Sequence, residues 1–173
     1  MAAAAVWGTA RPHVPARGMA WALSCTAGLA LLFPAHWDLD KLSEGSNVYF
    51  FPQQWGKVID HAESAEGGLT TVTQSADGLL TLLTNGKFQG NNSEQGEMIA
   101  QKSFALIPLL HTAQRDTALV IGYGTGMTPR VIHENEFRSL DIAELSEDMV
   151  RLANRHFENI NHAVTSKPGV NTY

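Results

Sequence analysis

"ALVIGYGTGMTPRVI", residues Ala118 to Ile132, is an apolar run that breaks into glycines and then resumes at helical spacing. Gly122, Gly124 and Gly126 fall at the exit of a predicted strand and the start of a predicted helix. Glycine there permits a tight turn and lets a ligand approach backbone N–H groups that the helix leaves unpaired. The spacing is GxGxG, whereas the dinucleotide fingerprint is GxGxxG; the residue three after Gly124 is Met127. Glu144 follows Gly124 by 20 residues, at the carboxyl end of the next predicted strand. An acidic side chain in that place can accept both hydroxyls of a ribose. Loop and acid together predict a nucleoside site. With no diphosphate to cradle, the loop favours a sulfonium nucleoside, S-adenosylmethionine or a relative, over NAD.

The surroundings of the loop read as β-α-β-α. A strand "TALVIGYG" (117–124) leads to a helix from about Met127, then a strand "SLDIAEL" (139–145) and a helix "SEDMVRLANRHFENI" (146–160). Ser146 suits the N-cap, and Glu147 and Asp148 suit the positive end of that helix. "ALVI" is continuously apolar, as expected of a strand buried on both faces. This half is α/β with a parallel sheet, and "NHAVTSKPGVNTY" (161–173) begins its third strand. Before it, "EMIAQKSFALIPLLH" (97–111) predicts a helix with Met98, Ile99, Ala105, Leu106, Leu109 and Leu110 available for burial, kinked or shortened by Pro108.

Further upstream the pattern changes. "GLTTVTQ" (68–74) and "LLTLLTNGKFQG" (79–90) are Thr-, Val- and Leu-rich runs punctuated by Asp77-Gly78 and Asn85-Gly86. Both dipeptides favour turns with positive φ, so two successive hairpins and a small antiparallel sheet are expected. Residues 37–55 are aromatic with Gly and Pro punctuation and read as loops and short strands. Three regions follow: a lead-in over 1–36, a β-hairpin domain over 37–96, and a partial Rossmann-like nucleoside-binding domain over 97–173. The fold class is α/β, with a small N-terminal antiparallel β domain followed by the first half of a methyltransferase-like Rossmann fold.

Composition narrows the partners. A net charge of -5, without any dense Lys/Arg cluster, argues against nucleic acid. The 7 histidines are scattered, with no HExxH and no Cys/His cluster, so no metal site is expected. His111, His133 and His156 fall at predicted helix ends, where a charge–dipole contact is the simplest role. The single Cys25 cannot form an internal disulfide. Residues 19–33 are 15 uncharged, mostly apolar residues behind Arg11 and Arg17. They are short of the roughly 20 residues that span a bilayer, and read as a membrane tether, a helix packed on the domain, or a signal-peptide core. The expected location is cytoplasmic, with membrane association through that segment.

Several motifs in register, "LLTNGKFQG", "EMIAQKSFALIPLLH", "ALVIGYGTGMTPRVI" and "LDIAELSEDMV", resemble the polyamine aminopropyltransferases, the spermidine synthases. The resemblance is strongest to the bacterial spermidine synthase-like proteins that are fused to, or follow, membrane segments, and runs from about Trp37 to Asn161. It implies transfer of an aminopropyl group from decarboxylated S-adenosylmethionine to the amine of a polyamine acceptor such as putrescine. It also implies a homo-oligomer, since family members are often dimers or tetramers. By resemblance Gly122, Gly124, Thr125 and Gly126 form the donor loop and Glu144 holds its ribose. Gln101 and Gln89 match positions that face the polyamine substrate. A methyltransferase using S-adenosylmethionine shares the core, but the double hairpin and "NGKFQG" argue against it. A third alternative is a non-catalytic nucleoside-binding module.

Three departures stand out. The family usually reads "GGGDGG" at the loop, and Thr125 occupies the place of the acid; Asn85 stands for the Asp of "LDG", and Ala100 for the aromatic of "YQE". These remove acidic and aromatic groups from a diamine pocket. The family's principal catalytic Asp lies after the fourth strand of the Rossmann core, so the chain reads as C-terminally truncated. No catalytic residue is assigned.

Overall fold

Asn85 and Gly86 both adopt positive φ, 50° and 76°, the twist that closes a two-residue hairpin between right-handed strands. The computed structural model describes residues 21, 23–29 and 37–173. Residues 1–37 form one unit, and residues 38–173 another. In the first, residues 21 and 23–29 are helical with exposed side chains. Among the described residues no helix is long and apolar enough to cross a membrane; the remainder of the 19–33 stretch lies outside them.

The second unit opens with two short helices, α1 (Leu39–Ser43) and α2 (Ser46–Tyr49). They correct the expectation of loops and short strands there. Asp38 caps α1 by accepting from Lys41 N at 3.1 Å, a capping role that outweighs the aromatic composition. The antiparallel sheet follows: β1 (Lys57–Ser64), β2 (Gly68–Gln74), β3 (Leu80–Thr84) and β4 (Lys87–Asn91), in sequential order. The two hairpins are present, and β1 is a fourth strand that the turn signals did not announce. Two β-bulges interrupt the sheet. One sets Ile59 out of register in β1, the other Gln89 in β4. A bulge of this kind re-aims the neighbouring side chains.

Helix α3 (Glu97–Leu109) ends one residue after Pro108. The parallel sheet then forms from β5 (Thr117–Ile121), β6 (Ser139–Ala143) and β7 (Val170–Thr172), in that order. The helices are α4 (Met127–Glu134), α5 (Glu147–His156) and α6 (Glu158–Asn161). The single helix expected over 146–160 is thus divided at Phe157, whose fully buried ring sits in the core. Ser146 caps α5 by accepting from Met149 N at 3.2 Å.

One core serves both sheets. Val72 and Leu82 of the antiparallel sheet cluster with Met127, Leu140, Ile142, Leu152, Phe157 and Ile160 of the α/β half. Helix α5 packs on β1 and β2, and α3 packs on α4 and β4. On its other face, the antiparallel sheet carries Tyr49 and Trp55, and Trp55 stacks on Phe88 with centroids 5.6 Å apart.

Two burial expectations are corrected. Strand β5 is covered on one face only: Val120 is buried, while Leu119 is 62% and Ile121 is 83% exposed. Leu119 and Ile121 stand opposite Asp141 and Ala143 of β6, on a face that carries no helix among the described residues, where β5 is also an edge strand. In α3, Gln101 and Ala105 are buried, whereas Ile99 and Leu106, and Leu110 just past its end, are exposed. The helix is apolar nearly all round, and among the described residues its main partners are α4 and β4. A groove of about 400 Å³ lies between α3 and β5, with Phe104, Pro108, Leu119, Ile132 and Phe137 among its walls.

Candidate functional site

The glycine loop lies between the end of β5 and the start of α4, at the carboxyl end of the parallel sheet, where open α/β folds bind ligands. Gly122, Gly124 and Gly126 all have positive φ, at 86°, 55° and 83°. The alternation turns the side chains between them inward: Tyr123 and Thr125 are both buried. A Cβ on Gly122 would meet nothing within 4 Å, so that residue borders open space. Gly126 is the opposite case, since a Cβ there would lie 2.6 Å from both Asn161 Cβ and Tyr123 Oη.

Glu144 stands just past the end of β6 and is half-buried. One carboxylate oxygen accepts from Tyr123 N at 2.7 Å and the other from Ser146 N at 3.0 Å. Its own amide donates to Tyr173 O at 2.9 Å. Each carboxylate oxygen retains a lone pair beyond the backbone hydrogen bond it accepts. The acid is therefore clamped to the loop with acceptor capacity left over. Leu145, next in the chain, is exposed.

Tyr123 anchors the loop from inside. Its hydroxyl donates to Asn154 Oδ1 at 2.6 Å, and burial pushes its ionisation well above the ordinary phenol range. Neither Tyr123 nor Asn154 was singled out by sequence reasoning. Tyr123 lies within the glycine spacing, but nothing in the chain's pattern pairs it with Asn154, 31 residues away.

The remaining sequence candidates converge on the same loop. Gln89 is the bulged residue of β4, and its carbonyl oxygen would lie 3.3 Å from a Cβ on Gly124. Gln101 is buried on α3, and its Oε1 accepts from the Thr125 hydroxyl. The structure thus brings Gln89, Gln101, Thr125, Gly124 and Gly126 to one junction, with Gly122 and Glu144 on its open side. Among the described residues no group of three or more His, Cys, Asp or Glu is placed to hold a metal ion.

No protein-family model matches the chain, and no curated protein does. Solved structures do. A spermidine synthase in complex with the transition-state analogue AdoDATO superposes with a TM-score of 0.57 and 17% identity, over 68% of this chain and 39% of that one. The fold is spermidine synthase-like. The spermidine synthase of Thermotoga maritima gives the same TM-score of 0.57 and the same 17% identity, over 67% of this chain and 39% of that one. The chain therefore spans less than half the length of the structures it matches. At this identity the likeness is one of fold. In this spermidine synthase-like fold the antiparallel sheet precedes the parallel one, and the glycine loop joins them through β4 and α3.

Proposed function

We propose that the chain binds a sulfonium nucleoside and carries the donor half of an aminopropyl transfer, from decarboxylated S-adenosylmethionine to a polyamine acceptor. The observation that carries this reading is the Glu144 clamp: a carboxylate fixed to Tyr123 N at 2.7 Å, beside a glycine loop that borders open space. In this reading Glu144 accepts the ribose hydroxyls and the backbone of Gly122 and Gly124 lies along the nucleoside. Gln89, re-aimed by its bulge, faces the acceptor side. The spermidine synthase-like fold supports aminopropyl transfer over methyl transfer, as does the antiparallel sheet that precedes the parallel one.

The chemistry is an in-line displacement at the carbon beside the sulfonium: the acceptor nitrogen forms the new C–N bond as the C–S bond breaks and methylthioadenosine leaves. Such a reaction gains most from holding donor and amine in line, and a carboxylate then takes the proton from the attacking nitrogen. The described residues offer positioning groups for the donor, and no residue here is assigned to that proton transfer.

Titration calorimetry of the purified protein with methylthioadenosine tests the reading. Binding is expected, and Glu144→Ala is expected to weaken it at least about tenfold, because hydrogen bonds to a charged acceptor contribute about 1.5–3 kcal/mol each. Wild-type protein that does not bind the nucleoside refutes the proposal. Undiminished binding by Glu144→Ala refutes the ribose assignment.

A further inference from the structure

Beneath the glycine loop runs a chain of buried polar side chains. Gln101 is 7% exposed, and Thr125 and Asn161 are fully buried. The Thr125 hydroxyl donates to Gln101 Oε1, and Gln101 Nε2 donates to Glu97 Oε1 at 3.0 Å. The Gln101 carbonyl accepts from Thr128 Oγ1 at 2.9 Å, which ties α3 to the first turn of α4. From the other side, Asn161 Nδ2 donates to Thr125 O at 3.2 Å and to Ala153 O at 3.1 Å, while its Oδ1 accepts from Ala163 N at 2.9 Å. Residue 125 is thus held by its side chain from α3 and by its carbonyl from α6. Strand β4 closes over the pair, since a Cβ on Gly90 would lie 2.4 Å from Gln101 Nε2 and 2.9 Å from Thr125 Cγ2.

We propose that Gln101, Thr125 and Asn161 are positioning residues: they hold the glycine loop in its nucleoside-binding conformation without touching the ligand. The inference rests on reading the loop as a nucleoside site and assigns these residues a role different from substrate contact. The physical argument is conformational. A loop with three positive-φ glycines has many alternative conformations when nothing holds it. A buried polar network whose members are satisfied selects one of them. Pre-setting the loop removes an ordering cost from binding. The same geometry commits the Thr125 hydroxyl to Gln101, so position 125 offers a ligand no side chain.

The test combines amide hydrogen exchange of residues 122–127 with methylthioadenosine titration, on wild type, Thr125→Val, Thr125→Ser, Gln101→Met and the Thr125→Val/Gln101→Met double variant. Thr125→Val is expected to speed loop exchange and to weaken nucleoside binding about tenfold. Thr125→Ser, which keeps the hydroxyl, is expected to stay within about twofold of wild type on both readouts. The double variant is expected to be no worse than the poorer single, the sign of one coupled unit. Wild-type loop exchange in Thr125→Val, or additive losses in the double variant, overturns the proposal. If Thr125→Val does not fold, Thr125→Ser decides: exchange as fast as in Gln101→Met overturns it, and wild-type exchange supports it. If wild type does not bind methylthioadenosine, the nucleoside reading fails, while the exchange data still settle whether the three residues hold the loop.

Discussion

Asp60 Oδ2 on β1 accepts from His156 Nε2, in the last turn of α5, at 2.7 Å, and from Arg155 Nη1 at 2.8 Å. A carboxylate can only accept, so Nε2 carries the hydrogen. The relationship joins residues 96 apart in the chain and ties the antiparallel sheet to the α/β half at the surface. The bulge at Ile59 lies between Val58 and Asp60 in the register.

The pair makes stability depend on acid. The His156 hydrogen bond, followed by that of Arg155 and against the opposing effect of burial, holds the Asp60 carboxyl at about 2, below its ordinary 3.8. A depressed carboxyl contributes stability that is present above the unfolded value and is lost as pH falls through the folded one. Asp60→Asn is expected to cost about 1 kcal/mol at pH 6, given partial exposure to solvent. The difference should close as pH drops from about 4 to about 2. Urea unfolding of both proteins across that range measures it; a difference that stays constant with pH contradicts the assignment.

The loop glycines should separate into two classes. Gly126→Ala combines positive φ with Cβ contacts at 2.6 Å to Asn161 and Tyr123, and is expected to cost more than about 2 kcal/mol or abolish folding. Gly122→Ala has the same backbone strain but open space around its Cβ, so about 1 kcal/mol is expected. The space it fills would then belong to the ligand, and nucleoside affinity should fall further than stability. Chemical denaturation and calorimetry on both variants check the order.

The uncovered face of β5 should drive association. An apolar edge strand without charge or proline is open to pairing with another chain. Leu119→Lys and Ile121→Lys place charge on that exposed face, and each is expected to shift the protein toward monomer with little loss of stability. Light scattering across a concentration series reads the effect. A monomeric wild type at high concentration counts against it.

Ser146→Ala is expected to destabilise the unit by about 1 kcal/mol through loss of the α5 cap. Because Ser146 N also donates to Glu144 Oε1 through its backbone, the substitution leaves the Glu144 clamp in place. Stability should fall while nucleoside affinity stays within about twofold, a split that thermal melts and titration together resolve.

What was legible in the chain followed from local rules. Asn85-Gly86, Ser146 and the glycine spacing each announce a backbone geometry that neighbours cannot easily override. The strand Lys57–Ser64 was not legible, because "KVIDHAES" alternates weakly and its bulge breaks the period. The helices over 39–49 were hidden by aromatic residues that serve the sheet's outer face. The burial of Gln101 in place of Ile99 or Leu106 could not be read from α3, since hydrophobicity there points in every direction. Only the partners, β4 and α4, decide which side is inside. The roles of Asn154 and Asn161 depend on contacts across 31 and 36 residues, which no local pattern encodes.

Gly90 carries a practical consequence for anyone who would divide or label this protein. Its backbone touches the Gln101 amide without a side chain between them, so there is no gap at that seam for a linker, a fluorophore or a purification handle. The Ser75–Gly78 turn offers the contrary situation: a Cβ on Gly78 meets nothing within 4 Å. Cargo attached at that turn would leave the loop's supports undisturbed, whereas anything grafted onto β4 would be felt at the glycines themselves.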